Sequence, residues 1–262
     1  ISIVLIIRKV SPVFSLMLGA LVGGLLAGWG LETTVAHMVG GVKDITPAIV
    51  RILAAGVLTG MLVKTGAAST IAHSIIKALG EKYIYLALAL SAMILTGMGV
   101  FIDVAVITIA PIAIIMGNKL QLSKFKLLFA MIGGGKCGNI LSPNPNTIIA
   151  AENFDAPLSS VMAAGIVPAL VGLAVTVFVI LPLMPKDKPT QTIQNNSPQD
   201  AQQEDNLPPL WRSLLGPLVT IILLALRPIA GIVIDPMIAL PVGGLVGILS
   251  TGKWRETATC LT

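Results

Sequence analysis

The sequence predicts an all-α polytopic membrane protein. Of its 262 residues, 55% are hydrophobic and only 11% are charged, whereas an ordinary soluble domain has about 25% charged residues. The apolar run between Asp155 and Lys186 is longer than the roughly 20 residues with which a helix crosses a bilayer core. A water-soluble globular fold is therefore excluded.

Apolar runs between charged residues give the predicted membrane segments in chain order. A short run at the start indicates the remainder of a longer helix, and a double-length run and a run interrupted by polar residues stand in the middle. A stretch rich in Pro, Gln, Asn and Asp predicts a disordered cytoplasmic linker at 185–210. The runs lie at 1–7, 12–30, 47–63, 83–117, 127–151, 158–184, 214–234 and 236–251.

The basic residues predict the orientation, because short cytoplasmic loops are enriched in Lys and Arg. We expect the turns at 32–44, 152–155 and 235, which are acidic or nearly neutral, on the outer face, with His37 in an outer loop. The basic clusters predicted to be cytoplasmic are Arg8 and Lys9; Lys64, Lys77 and Lys82; Lys119, Lys124 and Lys126; Lys186, Lys188 and Arg212; Lys253 and Arg255.

The double-length run at 83–117 must start and finish in the cytoplasm under this topology. Two architectures fit: two full spans, or a re-entrant hairpin with its tip near 97–103. The segment between Asp103 and Lys119 has 15 residues, about 22 Å of helix, which is short for a core of about 30 Å. The hairpin therefore fits better, and an amphipathic interfacial helix at 66–80 would lead into it.

The next crossing, at about 124–153, is predicted to be a broken helix. Gly and Pro interrupt helical regularity and remove amide donors, so we expect two half-helices meeting near 138–145. Unwound backbone at membrane depth is tolerated only where it is buried in protein or lines a wet cavity. The residues assigned to this backbone break are Gly134, Gly135, Gly138, Pro143 and Pro145.

Asp103 is the only acidic residue deep within an apolar run. A carboxylate within the membrane is costly and typically marks a proton or ion pathway, so Asp103 is the predicted proton-coupling residue. The alternative is a carboxylate at a hairpin tip that caps a helix N-terminus or lies in water.

Polar side chains around the helix break are the predicted substrate-binding group. Lys136 places a cation where the amides of the next half-helix point, and both features attract an anion such as a carboxylate. Alternatively, Lys136 pairs with Asp103 or snorkels. Amides and hydroxyls of the loop can bind a polyhydroxylated substrate, or can instead satisfy the broken backbone. These loop residues are Asn139, Ser142, Asn144, Asn146 and Thr147.

Several other functions are excluded by composition. The two cysteines, Cys137 and Cys260, cannot form a disulfide framework, and no Cys/His cluster has metal-ligand spacing. The net charge of +5 is spread over loops between apolar segments, so nucleic acid is not an expected partner. No paired intramembrane aspartates and no His-Glu-x-x-His run occur, so we expect no enzyme activity, no cofactor and no metal.

Two segments carry a family resemblance, GVFIDVAVITIAPIAI and, above all, GGGKCGNILSPNPNTIIAAENF. They resemble the gluconate permease family of bacterial proton symporters, within the wider ion transporter superfamily. The resemblance implies proton-coupled uptake of gluconate or a related sugar acid across the inner membrane, by a multi-pass homodimer. It also implies two inverted repeats, each with a re-entrant hairpin and a broken helix.

The resemblance divides the chain into a first transmembrane repeat at 1–184 and the start of a second at 211–262. Because family members continue through a second hairpin and broken helix, the second repeat is expected to be truncated here. Two alternatives follow: an inactive remnant or half of a split transporter, or a symporter for another small hydroxy-carboxylate or D-amino acid.

Overall fold

The computed structural model describes residues 1–185 and 207–252, with the side chains of 227 and 228 outside the description. Most of the predicted linker at 185–210, together with Lys253 and Arg255, lies outside the described residues. Within the described ranges every regular element is helical, which confirms the all-α class. The chain forms two compact units, Ile1–Val50 and Arg51–Thr262.

The first unit contains α1 (Ser2–Ile7), α2 (Pro12–Leu26) and the beginning of α3 (Leu31–Lys64). Pro12 occupies the first position of α2, where its missing amide would be unpaired in any case. Helix α2 packs closely on α3, since a Cβ at Gly24 would meet the Thr34 side chain. The Trp29 and His37 rings lie 4.4 Å apart between centroids.

The prediction of an outer loop at 32–44 is wrong, because this stretch belongs to helix α3. The helix continues for 34 residues through Pro47, so His37 is helical. Charged and polar residues in the stretch suggested a loop, but charge alone does not interrupt a helix, and Glu32 in the first turn interacts favourably with the helix dipole. The Thr46 hydroxyl also donates to the Val42 carbonyl, at 2.8 Å.

The second unit begins within α3, at Arg51, and includes the helices that follow it. The predicted helix at 66–80 is α4 (Ala67–Leu79), and the double-length run forms α5 (Ile84–Gly97) and α6 (Ile102–Lys119). The following crossing forms α7 (Lys124–Ile140) and α8 (Pro145–Asn153). Helix α5 is central, because most of its side chains are buried.

The rest of the second unit is apolar and helical. Helices α9 (Leu158–Ala164) and α10 (Ile166–Val175) continue through a π-helical turn, Thr176–Ile180, into α11 (Leu181–Leu183). Beyond the linker come α12 (Leu210–Ala230) and α13 (Pro236–Thr251).

Three helical segments in the described ranges are long and apolar enough to cross a membrane: Leu31–Lys64, Ile102–Lys119 and Leu158–Leu183. The pair Ala67–Leu79 and Glu81–Gly97, bent by 107°, makes a fourth if it is counted as one span. These lengths and compositions are those of a membrane protein.

Glycines allow α7 to lie directly against α5. A Cβ at Gly134 would meet the Ala89 carbonyl oxygen, and one at Gly138 would meet that of Met93. Since both obstacles are backbone atoms, no side-chain rotation could relieve them. The Thr96 hydroxyl donates across the same contact to the Gly135 carbonyl, at 2.9 Å.

Candidate functional site

The first part of the candidate site is the break between α5 and α6, at 98–101. Helix α5 ends in a Schellman motif, in which the Gly99 amide donates to the Thr96 carbonyl at 3.0 Å and the Val100 amide to the Leu95 carbonyl at 3.1 Å. Gly99 has φ +103°, a conformation that a side chain disfavours. The break falls inside the predicted tip at 97–103.

The second part is the break between α7 and α8, at 141–144, inside the predicted range 138–145. Asn144 caps α8: its side-chain oxygen accepts from the Asn146 amide at 2.8 Å and from the Thr147 amide at 3.4 Å. Thr147 completes a capping box by accepting from the Asn144 amide at 3.2 Å. Pro145 at the first helical position needs no amide partner.

The same asparagine also connects α8 back to the end of α7. Its side-chain nitrogen donates to the Ser142 hydroxyl at 2.7 Å and to the Asn139 carbonyl oxygen. The Thr147 hydroxyl donates to the Ser142 carbonyl. Ser142 and Asn144 are 0% and 1% exposed, so this network is closed to solvent.

The two breaks contact each other. A Cβ at Gly97 would lie 2.9 Å from Leu141 Cδ1, and one at Gly99 would lie 3.8 Å from Pro143 Cγ. Side chains of the second break therefore lie against the end of α5 and the first break, in the interior of the second unit.

Helix α3 covers one side of this meeting point. The Thr59 hydroxyl donates to the Gly99 carbonyl at 2.7 Å, and a Cβ at Gly99 would lie 3.6 Å from Leu58 Cδ2. Thr59 and Thr96 both bond across helices, yet sequence reasoning assigned a role to neither. A threonine in an apolar helix gives no signal that distinguishes a cross-helix bond from one within its own helix.

Asp103 and Lys136 lie beside the two breaks. Asp103 is exposed in the first turn of α6, and Lys136 is exposed on α7. Their neighbours in sequence touch, since a Cβ at Gly135 would lie 2.8 Å from Ile102 Cγ1. Among the described residues neither charge has an ion-pair partner, so the alternative in which the two pair with each other is not seen here.

The other predicted binding residues divide into two groups. The side chains of Ser142, Asn144 and Thr147 are taken up by the cap network, whereas Asn146 is exposed. The side-chain oxygen of Asn139 is buried and has no hydrogen-bond partner among the residues that the structure describes. In the described structure the polar groups that the cap network does not use are therefore those of Lys136 and Asn146, which are exposed, and the buried side-chain oxygen of Asn139. The capping residues hold the loop.

A charged cluster near the end of α8 was not predicted as a unit. The Arg51 guanidinium binds Asp235 through two hydrogen bonds, of 3.2 and 2.6 Å, and forms an ion pair with Glu152. These groups, with Asp155 and Ser159, line a cavity of about 230 Å³. The hydrogen bond from Arg51 holds the pKa of the Asp235 carboxyl below its usual value, an effect that burial opposes.

Replacing Arg51 with methionine is expected to destabilise the protein by about 1–2 kcal/mol, between the values for exposed and buried ion pairs. The change leaves two carboxylates facing each other, so adding Asp235→Asn should recover part of the loss. Because the pKa of Asp235 is lowered, the contribution of the Arg51–Asp235 ion pair to stability is complete above the usual carboxyl pKa. That contribution is lost as the pH falls through the lowered pKa.

The measurement is the thermal denaturation temperature in detergent, with Arg212→Met as the matched control. Arg212 has no ion pair among the described residues and lies over the Trp211 ring at 4.9 Å. Equal losses in the two variants would contradict a specific role for the Arg51 cluster.

Fold and site together define a helical membrane protein in which two helix breaks lie together beside an acidic and a basic side chain. The family model for GntP family permeases matches residues 1–247. The chain belongs to the GntP permease family.

Individual relatives agree with this assignment. A Haemophilus influenzae protein named as an uncharacterized transporter is 51% identical over 256 residues, which cover 98% of this chain and 60% of that protein. The high-affinity gluconate transporter of Escherichia coli K12 is 27% identical, over 86% of this chain and 50% of that protein. The gluconate permease of Zymomonas mobilis is 25% identical, over 97% of this chain and 61% of that protein. No solved structure matches the chain.

The chain thus spans 50–61% of the length of these curated relatives.

Proposed function

We propose that this chain forms the substrate- and proton-binding part of a secondary transporter that takes up gluconate or a related sugar acid with protons across the bacterial inner membrane. The observation that carries the proposal is the contact between two helix breaks beside Asp103 and Lys136. Membership of the GntP permease family and the names of two relatives support the substrate class.

The proposed binding mode follows from the available polar groups. Lys136 attracts the substrate carboxylate, and the unpartnered oxygen of Asn139 accepts from a sugar hydroxyl. Asn146, exposed at the start of α8, adds further hydrogen bonds. Ser142, Asn144 and Thr147 keep the loop in shape around them.

Proton coupling gives the transporter its driving force. A negative-inside potential opposes entry of a sugar acid anion by about 2.3 kcal/mol per charge per 100 mV. A proton carried on Asp103 neutralises that charge and adds the pH gradient as a source of energy. Its side chain is exposed beside the tip, and the proposal places it in a water-filled path.

The proposed architecture has two inverted repeats, of which 1–184 is the first and 211–262 begins the second. In it α5 and α6 form a re-entrant hairpin, the linker at 185–210 is cytoplasmic, and two copies associate as a homodimer. An inactive remnant, or half of a split transporter, is the competing proposal.

Replacing Lys136 with glutamine tests the substrate site. A hydrogen bond to a charged group contributes about 1.5–3 kcal/mol, so the KM for labelled gluconate in membrane vesicles should rise about tenfold or more, with a smaller change in maximal rate. Lys124→Gln, at the exposed start of the same helix, is the matched control, and its KM should equal that of the unmodified chain.

Two results of this experiment would count against the proposal. An unchanged KM in Lys136→Gln would remove Lys136 from the substrate site. No uptake by the unmodified chain, shown to be inserted in the membrane, would favour the remnant or split-transporter proposal.

A further inference from the structure

The carbonyl of Gly99, in the tip between α5 and α6, accepts a hydrogen bond from another helix. The Schellman motif at the end of α5 uses the carbonyls of Leu95 and Thr96 and the amides of Gly99 and Val100. The Gly99 carbonyl has no part in that motif. It lies among buried residues, since Val100 and Leu58 are both 0% exposed, where an unpaired carbonyl would be costly.

Thr59 of α3 supplies the missing donor. Its side chain is buried, at 5% exposed, and its oxygen lies 2.7 Å from the Gly99 carbonyl oxygen and 3.0 Å from the carbonyl of Ala55 in its own helix. A hydroxyl has a single proton to donate, and the shorter contact goes to Gly99. The bond joins residues 40 positions apart.

We propose that Thr59 is a positioning residue that fixes the tip between α5 and α6 against α3 and thereby sets the place of Asp103. Gly99 lies beside Pro143 of the second break, since a Cβ at Gly99 would be 3.8 Å from Pro143 Cγ. Asp103 follows four residues after Gly99, in the first turn of α6. A shift of the tip therefore moves the carboxylate relative to Lys136. The consequence for transport rests on the proposed function, whereas the position of the tip does not.

The test compares three variants of the full 262-residue chain. Thr59→Val keeps the shape and removes the hydroxyl, and Thr59→Ser restores it. Thr220→Val is the matched control, because Thr220 is also buried, at 2% exposed. Within the described residues its hydroxyl bonds only the Gly216 carbonyl of its own helix, at 3.2 Å.

The first readout is hydrogen–deuterium exchange of the peptide covering 97–103, in detergent. Loss of the bond should make the amides of Gly99 and Val100 exchange about tenfold faster, the change expected for one hydrogen bond. In Thr59→Ser these amides should exchange as slowly as in the unmodified chain, and Thr220→Val should leave their exchange rate unchanged. Equal exchange in Thr59→Val and the unmodified chain would overturn the proposal, whether or not the chain transports.

The second readout is uptake of labelled gluconate as a function of pH. Thr59→Val should raise the KM about tenfold and displace the pH profile, with Thr59→Ser restoring both; a purely structural role would lower the amount of inserted protein without moving either. An unchanged KM and pH profile despite faster exchange would overturn the consequence for Asp103. Absence of uptake by the unmodified chain would reject the proposed function instead, and the exchange rates would still decide the position of the tip.

Discussion

Replacing Asp103 with asparagine is expected to abolish uphill accumulation of gluconate while leaving exchange intact. Asparagine resembles the protonated carboxyl in shape but cannot release a proton, so the pH gradient loses its coupling to substrate. For one proton per substrate, each pH unit corresponds to about 1.4 kcal/mol, or tenfold accumulation. The measurement is the accumulation ratio of labelled gluconate in vesicles with an imposed pH gradient.

The variant should still exchange internal unlabelled gluconate for external labelled gluconate without a gradient. Asp44→Asn is the matched control, because Asp44 is also exposed and has no ion pair in the described part of the chain. Accumulation by Asp103→Asn at the level of the unmodified chain would exclude Asp103 as the proton carrier. Loss of both accumulation and exchange would indicate a damaged pathway.

Replacing Asn144 with alanine is expected to produce the largest loss of stability, about 2–4 kcal/mol. The change removes the cap of α8, which is worth about 1 kcal/mol. It also leaves buried groups of the 139–147 loop without partners, at about 1–3 kcal/mol. The measurement is the denaturation temperature in detergent, together with the amount of inserted protein.

Two further substitutions separate capping from the rest of the network. Asn144→Ser keeps a good N-cap residue but loses the donor to Ser142 and Asn139, so its loss should be intermediate. Asn153→Ala removes an exposed amide whose one bond in the described part of the chain goes to the Ile149 carbonyl, and it should have little effect. Equal behaviour of Asn144→Ala and Asn153→Ala would contradict the structural role of the cap.

Local sequence chemistry predicted the ranges of the two helix breaks but not every residue in them. Gly134, Gly135 and Gly138, which were assigned to the second break, lie within the continuous helix α7 instead. Gly97 and Gly99 end α5, and Pro143 and Pro145 separate α7 from α8, because these residue types disfavour a continuous helix wherever they occur. The apolar run predicted at 236–251 coincides with α13, which Asp235 caps and Pro236 begins. The positions of the breaks follow from residues within a few positions of them.

Local chemistry was not sufficient where polar residues allow two structures. The stretch 32–44 is polar enough for a loop, yet it is helical because neighbouring turns extend through it. Asn144 and Thr147 were predicted to bind substrate, and the structure places their side chains in the α8 cap. Sequence alone does not tell whether an amide beside a helix break faces a cavity or the backbone.

Contacts between distant residues carry no local signal. Arg51 and Asp235 are 184 positions apart, so their hydrogen bonds depend on how α3 and α13 meet in the folded chain. A lone arginine in an apolar segment indicates only that some partner or interface exists. The same limit applies to Thr59 and Gly99.

The central claim is that this chain moves a sugar acid together with a proton. The most direct test is to add gluconate to de-energised vesicles that contain the chain and to record the external pH with an electrode. The account predicts that the medium becomes alkaline as protons enter with the substrate, and that Asp103→Asn gives no change. Gluconate entry without alkalinisation would contradict proton coupling, and no entry would contradict transport by this chain.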